Sequence, residues 1–203
     1  RLVIRPDSIL PESLQNCEIR RINFSNPKEI DSAFEGSEAL IIATGARPSV
    51  DLTGPGRVDA CGVRRQVESS IKVGIKKIVL VSSLCAGRFL HPLNLFGLIL
   101  LWKRIGEKSI ESSGLDWTII RPGGLTEQEK DLETEKVFYT KADMQQDASI
   151  PRRLVAKTCI EALKAKNAKQ KIIEITSRND IKEISLEKAI EGFTMDTLVN
   201  QES

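Results

Sequence analysis

The chain has 203 residues, of which 40% are hydrophobic and 29% charged, with 30 Lys and Arg against 28 Asp and Glu. A single core normally serves about 100–200 residues, so one soluble globular domain is expected, and disordered, collagen-like and coiled-coil chains are excluded. A formal charge of +2 is too weak a field to hold a nucleic-acid backbone, so no nucleic-acid partner is expected.

Leu2–Ile4 reads as a strand closed by Arg5–Pro6, because proline biases the residue before it away from helix. Cys17–Phe24 alternates apolar and polar residues as a strand does, and Ser25–Asn26–Pro27 then opens a helix carrying Ile30, Ala33 and Phe34 up to Gly36. Ala39–Thr44 is a continuous apolar strand stopped by Gly45, which implies burial on both faces. Residues 46–57 are loop, Val58–Val73 is a helix with Gly74 as its C-cap, and Ile75–Val81 is a second buried strand running into Ser82–Ser83. Pro92 precedes a helix from about Asn94 to Ser113 closed by Gly114, and Leu115–Arg121 is a strand cut off by Pro122–Gly123–Gly124. The charged stretch Thr126–Glu135 is loop, Lys136–Tyr139 a short strand, and Ile150–Pro151 leads into a helix with Leu154, Val155, Thr158, Cys159, Ala162 and Leu163 on one face. Lys171–Thr176 is the last strand, and a weaker helix spans Ile184–Phe193. A single domain over 1–194 with a loose tail over 195–203 follows.

Strands alternating with helices give an α/β doubly wound parallel sheet with helices on both faces, whose ligands bind at the strands' carboxyl ends. Those ends are Arg5–Pro6, Thr44–Gly45–Ala46, Ser82–Ser83 and Arg121–Pro122–Gly123–Gly124. Small residues there let a ligand approach the backbone, and an arginine offers phosphate a fork of donors. The sequence holds one Tyr, Tyr139, and one His, His91, so a phenol or imidazole mechanism must use one of them. His91 reads as a structural or solvated side chain. Cys17, Cys61, Cys85 and Cys159 have no C-x-x-C spacing, so no metal site is expected and the four read as reduced core thiols. The amino terminus has no signal-peptide pattern, and the most apolar run, Leu93–Trp102, is shorter than the roughly 18–20 residues that cross a bilayer. It reads as a core or interface helix, or as a docking surface for a peripheral membrane or a partner protein.

The runs VLVSSLCAG (Val79–Gly87), WKRIGEKSIESSGLDWTIIRPGGL (Trp102–Leu125) and ASIPRRLVAKTCIEAL (Ala148–Leu163) resemble the atypical short-chain dehydrogenase/reductase family, with its NAD(P)-binding Rossmann domain. The likeness is greatest to the NmrA-like cyanobacterial and plastid members related to the dehydrogenase-like subunit of the chloroplast import machinery. It implies a nicotinamide cofactor, NADP(H) or NAD(H), and hydride transfer to or from a small-molecule substrate, in cyanobacterial cytoplasm or chloroplast stroma. A non-catalytic redox sensor or scaffold that binds the cofactor and a protein partner is the alternative. By the same resemblance Arg5 favours the 2′-phosphate of NADP and Asn23 stands beside the adenine, where the family usually has Asp. Ala43, Thr44 and Gly45 flank the adenosine ribose, and Val81 leads to the substrate-side serine, Ser82. Lys103 binds the nicotinamide ribose, and Arg121, Pro122, Gly123 and Gly124 pack against the nicotinamide. Ser82 and Lys103 are the catalytic candidates.

Two departures bear on mechanism. In the classical short-chain enzymes the acid is a tyrosine four residues before the lysine, where its pKa is lowered by the ammonium, but here that position is Ile99 and Y-x-x-x-K occurs nowhere, as is common among atypical members, which leaves either another acid or no chemistry at all. The chain also lacks a G-x-x-G-x-x-G phosphate loop. A first strand and glycine-rich loop of roughly 25–30 residues is therefore expected to precede Arg1, at the centre of the sheet.

Overall fold

The computed structural model describes residues 1–46, 52–86, 88, 91–95, 97–127, 134–145 and 148–199, and their side chains except those of residues 93 and 194–199. In chain order the elements are β1 (Leu2–Ile4), β2 (Ile19–Arg21), α1 (Pro27–Phe34), β3 (Ala39–Ile42), a π-helical segment (Gly56–Gly62) continuing into α2 (Val63–Val73), and β4 (Lys77–Val81). There follow α3 (Ile99–Glu111), β5 (Asp116–Pro122), β6 (Gly124–Thr126), β7 (Lys136–Lys141), β8 (Ser149–Pro151), α4 (Arg152–Lys164), β9 (Lys171–Arg178) and α5 (Leu186–Val199).

The main sheet has the order β3-β4-β5-β9-β7. Its first four strands are parallel, and β7 closes one edge antiparallel to β9, with Tyr139 opposite Ile175. The architecture is thus α/β and mostly parallel, with one antiparallel edge strand. Successive residues of the central strands serve opposite cores, which explains their unbroken apolar runs. Ile78, Leu80 and Ile119 pack with Ile30, Phe34, Val67 and Ile110 of α1, α2 and α3. Val79, Ile120, Ile173 and Ile175 pack with Leu154, Val155, Ala162 and Ile190 of α4 and α5. β1 and β2 form a separate parallel pair, tied to the first of these cores by Val3, Ile22 and Phe24 rather than by a ladder to β3.

Local signals behave as their chemistry requires. Asn26 caps α1, its side-chain oxygen accepting from Lys28 N at 3.2 Å, and Pro27 takes the first turn. Gly74 ends α2 at φ 83°, a left-handed conformation that glycine adopts without strain.

Four expectations need correction. The helix expected from Asn94 begins only at Ile99, because Gly97 (φ 78°) and Leu98 (φ 56°) turn the backbone left-handed. Asn94 stays outside that helix and caps it, its side-chain oxygen accepting from Leu100 N at 3.0 Å and Leu101 N at 3.3 Å. The apolar run is thereby split: Leu95 is 83% exposed whereas Leu100 is buried. Cys17 and Cys61 are exposed, and only Cys85 and Cys159 are buried thiols. α5 runs through Val199, since a helix seeded by buried Leu186, Ala189 and Ile190 gains one backbone hydrogen bond for each residue added. Most of the charged stretch 126–135 lies outside the described residues, as do Gly87 and part of the loop at 46–57. Among the described residues no helix is long and apolar enough to cross a membrane.

Candidate functional site

A cleft of about 660 Å³ crosses the carboxyl ends of β3, β4 and β5 and reaches the start of α4. Ala43, Thr44 and Gly45 form one side, Val81, Ser82, Ser83 and Cys85 the floor, and Pro122, Gly123 and Gly124 the other side, with Lys103, His91 and Arg152 projecting to it. The strand ends that the sequence singles out on β3, β4 and β5 therefore meet in one place.

Lys103 lies one turn into α3 and donates to Asp59 Oδ1 at 2.8 Å. Asp59, 3% exposed, also accepts from the Ala46 amide through Oδ2 at 3.2 Å, so one carboxylate ties the lysine to the end of β3. A Cβ added at Gly45 would lie 3.8 Å from both Lys103 Nζ and Asp59 Oδ1, which places this pair against the glycine. Asp59 is brought there by the π-helical segment, a rare conformation often found at functional sites. Sequence reading missed Asp59. The available signal was a carboxylate inside the apolar stretch Val58–Cys61.

Ser82 is fixed by its backbone, whose amide donates to Ile120 O at 2.8 Å beyond the end of the ladder, while Leu84 N donates to Pro122 O at 2.9 Å. Its hydroxyl is buried and, among the described residues, makes no hydrogen bond of ordinary geometry. It nevertheless lies near enough to Glu107 to help keep that carboxyl ionised. A buried hydroxyl left unpaired is costly, by about 1–3 kcal/mol, so an orphan on a cleft floor marks a place for a ligand's polar atom. Gly123 cannot be larger, because a Cβ there would fall 2.2 Å from the Ala148 carbonyl, which receives the Gly124 amide at 2.8 Å.

Three predicted residues stand elsewhere. Arg121 does not face the cleft: it is 2% exposed, donates to both Glu107 oxygens at 2.9 and 2.8 Å and to Asp143 at 3.0 Å, and lies 3.6 Å from Glu174. Strand alternation explains this, since the residue before Pro122 points to the opposite face, where α3 presents Glu107. Burial works against its charge, but the carboxylates around it raise its pKa further. Asn23 uses its side-chain oxygen to accept from Ser25 N at 2.9 Å in a local turn. Arg5 is half-exposed beside Asp7. Arg5 and Asn23 end β1 and β2, and neither lines the cleft.

Tyr139 lies in the α4–α5 core on β7, where burial, followed by the charge of Glu161, pushes its phenol up to about 12. It does not line the cleft and keeps its proton at neutral pH, so the absence of Y-x-x-x-K is not repaired from elsewhere by this residue. Cys159 is likewise held as a thiol, its pKa pushed up to about 12 by burial. Among the described residues no group of three or more His, Cys, Asp and Glu is placed to hold a metal ion.

The residues present are chemically suited to a dinucleotide. An orphaned hydroxyl, a lysine held in place, and a backbone kept bare by Gly45 and Gly123 converge on the cleft. The NAD(P)H-binding family model matches residues 1–166. An uncharacterised chloroplastic protein of Arabidopsis thaliana is 40% identical over 153 residues, covering 71% of this chain and 54% of that relative. Sanguinarine reductase of Eschscholzia californica is 30% identical over 195 residues, covering 77% of this chain and 71% of that protein. A candidate NAD-dependent epimerase/dehydratase of Bacillus halodurans superposes with a TM-score of 0.73 at 26% identity, covering 86% of this chain and 77% of that one. The chain thus spans about half the length of the chloroplastic relatives it matches first. It belongs to the NAD(P)H-binding family, as an atypical short-chain dehydrogenase/reductase of plastid type.

Proposed function

We propose that this chain is a reductase or dehydrogenase of the plastid stroma, or of its cyanobacterial counterpart, that binds NADP(H) across the cleft and exchanges hydride with a small organic substrate. The observation that carries the reading is the unpartnered Ser82 hydroxyl on the same cleft as a lysine fixed by Asp59. The bound nicotinamide would supply or accept the hydride. Lys103 would donate to the ribose hydroxyls, Asp59 keeping the ammonium in place, and the bare backbone at Gly123 would let the flat ring lie close. The Ser82 hydroxyl would donate to a substrate oxygen, stabilising negative charge as it develops in a site where water is scarce.

Calorimetry with NADPH tests the assignment. Lys103→Met is expected to weaken binding about tenfold or more, the worth of hydrogen bonds from a charged group, while leaving Asp59 its Ala46 contact. Ser82→Ala should bind NADPH about as well as the parent and lose turnover across a panel of aldehydes and quinones. Equal effects of the two changes on binding would overturn the division of roles. Tight NADPH binding without turnover of any substrate would favour a redox sensor or scaffold, a reading supported by Ile99 in place of the usual tyrosine.

A further inference from the structure

Two features of the cleft are not used by this reading: the charge of its lining, and the way α4 begins. Among the described residues that line it, the fixed charges are Lys103 and Arg152, and no carboxylate faces it. Lys103 is balanced by Asp59 behind it. Arg152 lines the cleft from the start of α4, next to the paired β6 and β8.

Arg152 is the first residue of the 13-residue α4, and Arg153 follows it, so two cations occupy the end of a helix whose exposed amides already carry positive charge. The capping position is Pro151, which provides no side-chain acceptor, and the first turn contains no acid. A helix built this way is disfavoured unless something negative sits before it. The partner Arg152 has is Glu127 at 2.6 Å, but the side chains are 57% and 82% exposed. Such a pair is worth about 0–1 kcal/mol and exchanges readily with another anion. On the same cleft Ser82, 7% exposed, makes no hydrogen bond of ordinary geometry through its hydroxyl, which lies beside Glu107, and the cation Arg152 is held by a solvated acid.

We propose that the α4 end of the cleft receives a carboxylate of the substrate, with Arg152 as its counter-ion and Glu127 the group it displaces. The substrate class is accordingly an organic acid whose reducible carbon lies over Ser82 while its carboxylate lies at the helix terminus. This rests on the reductase reading, and the anion site can be tested apart from it. The cofactor's own phosphates have the same chemistry, so the two sources must be separated.

The probe is benzoate against its neutral isostere benzamide, followed by nitrogen-15 NMR on the whole chain. The Arg152 Nε resonance and the Arg153 and Leu154 amides should shift saturably with benzoate and not with benzamide. Arg152→Gln should weaken benzoate at least tenfold and Arg152→Lys should restore part of the loss. The shifts should persist when NADPH is present at saturation. If NADPH displaces benzoate, Arg152 serves a cofactor phosphate and the proposal is overturned. No saturable shift up to tens of millimolar benzoate would also overturn it. If benzoate binds as expected while NADPH produces no shift anywhere, the anion site stands and the reductase reading falls.

Discussion

Arg121→Met is expected to lower stability by about 3–5 kcal/mol, the cost of leaving buried carboxylates without their cation. In a chain of this size that corresponds to a melting-temperature drop on the order of 10 °C. Glu107 is wholly buried and loses the bonds from Arg121 Nε and Nη2, keeping one from the less buried Arg104 at 3.0 Å. Glu174 is better protected, since the amides of Asp143, Met144 and Gln145 all donate to it at 2.8–3.0 Å. Replacing both partners, Arg121→Met with Glu107→Leu, should therefore recover most of the loss. Acid dependence gives a second readout. Burial pushes the Glu107 carboxyl up, but hydrogen bonds and charge from Arg121, with help from Ser82 and Arg104, hold it below the ordinary 4.5. A depressed pKa contributes stability that is present above about pH 4.5 and lost as the pH falls through the lower folded value. The double variant should lose that limb of the curve. Denaturant titrations from pH 3 to 7 decide, and an Arg121→Met protein with unchanged stability but weakened NADPH binding would return Arg121 to the cleft wall.

The second large effect is expected at Gly106. A Cβ there would fall 2.1 Å from the Asp59 carbonyl oxygen and 3.4 Å from Val63 Cβ, both backbone-anchored, so the helix or the π-helical segment must move. Overpacking of this kind costs about 1–3 kcal/mol. Displacement also separates Lys103 from Asp59, because the two side chains come from the elements being forced apart. Gly106→Ala should thus lose stability and NADPH affinity together, the latter about as far as Lys103→Met. Gly192→Ala is the control: among the described residues nothing lies within 4 Å of its added methyl in α5, and the change should stabilise by about 0.5–1 kcal/mol through lower chain entropy. Thermal melts paired with NADPH titrations separate the two, and a Gly106→Ala protein that melts and binds like the parent would refute the packing argument.

The legible parts of this fold were those carried by short-range chemistry. Gly74 ends a helix and Asn26–Pro27 begins one because the backbone conformations they favour are local. The cleft floor was legible for a related reason: Gly45, Ser82 and Gly123 follow apolar strands, and in parallel sheets strand ends gather at one edge. What escaped depended on partners distant in sequence. Arg121 next to Pro-Gly-Gly looks like a loop donor until Glu107 and Glu174 come to enclose it. Asp59 looks like a stray charge on a helix until Lys103 arrives from the next crossover. The direction of β7 is set by its pairing with β9, and a six-residue run says nothing about which way it will lie. The late start of α3 is the exception, a local event hidden by the apolar character of Leu93–Trp102 on either side of Gly97.

The pairing of Lys103 with Asp59 has a consequence for how binding is divided between folding and ligand capture. A free lysine side chain loses about 1.5–2 kcal/mol of rotamer freedom when it is pinned. Here Asp59 and the wall at Gly45 already restrict the ammonium in the absence of ligand. That ordering belongs to the folding equilibrium, so in the role proposed for Lys103 a dinucleotide would meet a rigid donor and its association would be spared the entropy. Affinity at this end of the cleft is therefore set by how little has to change.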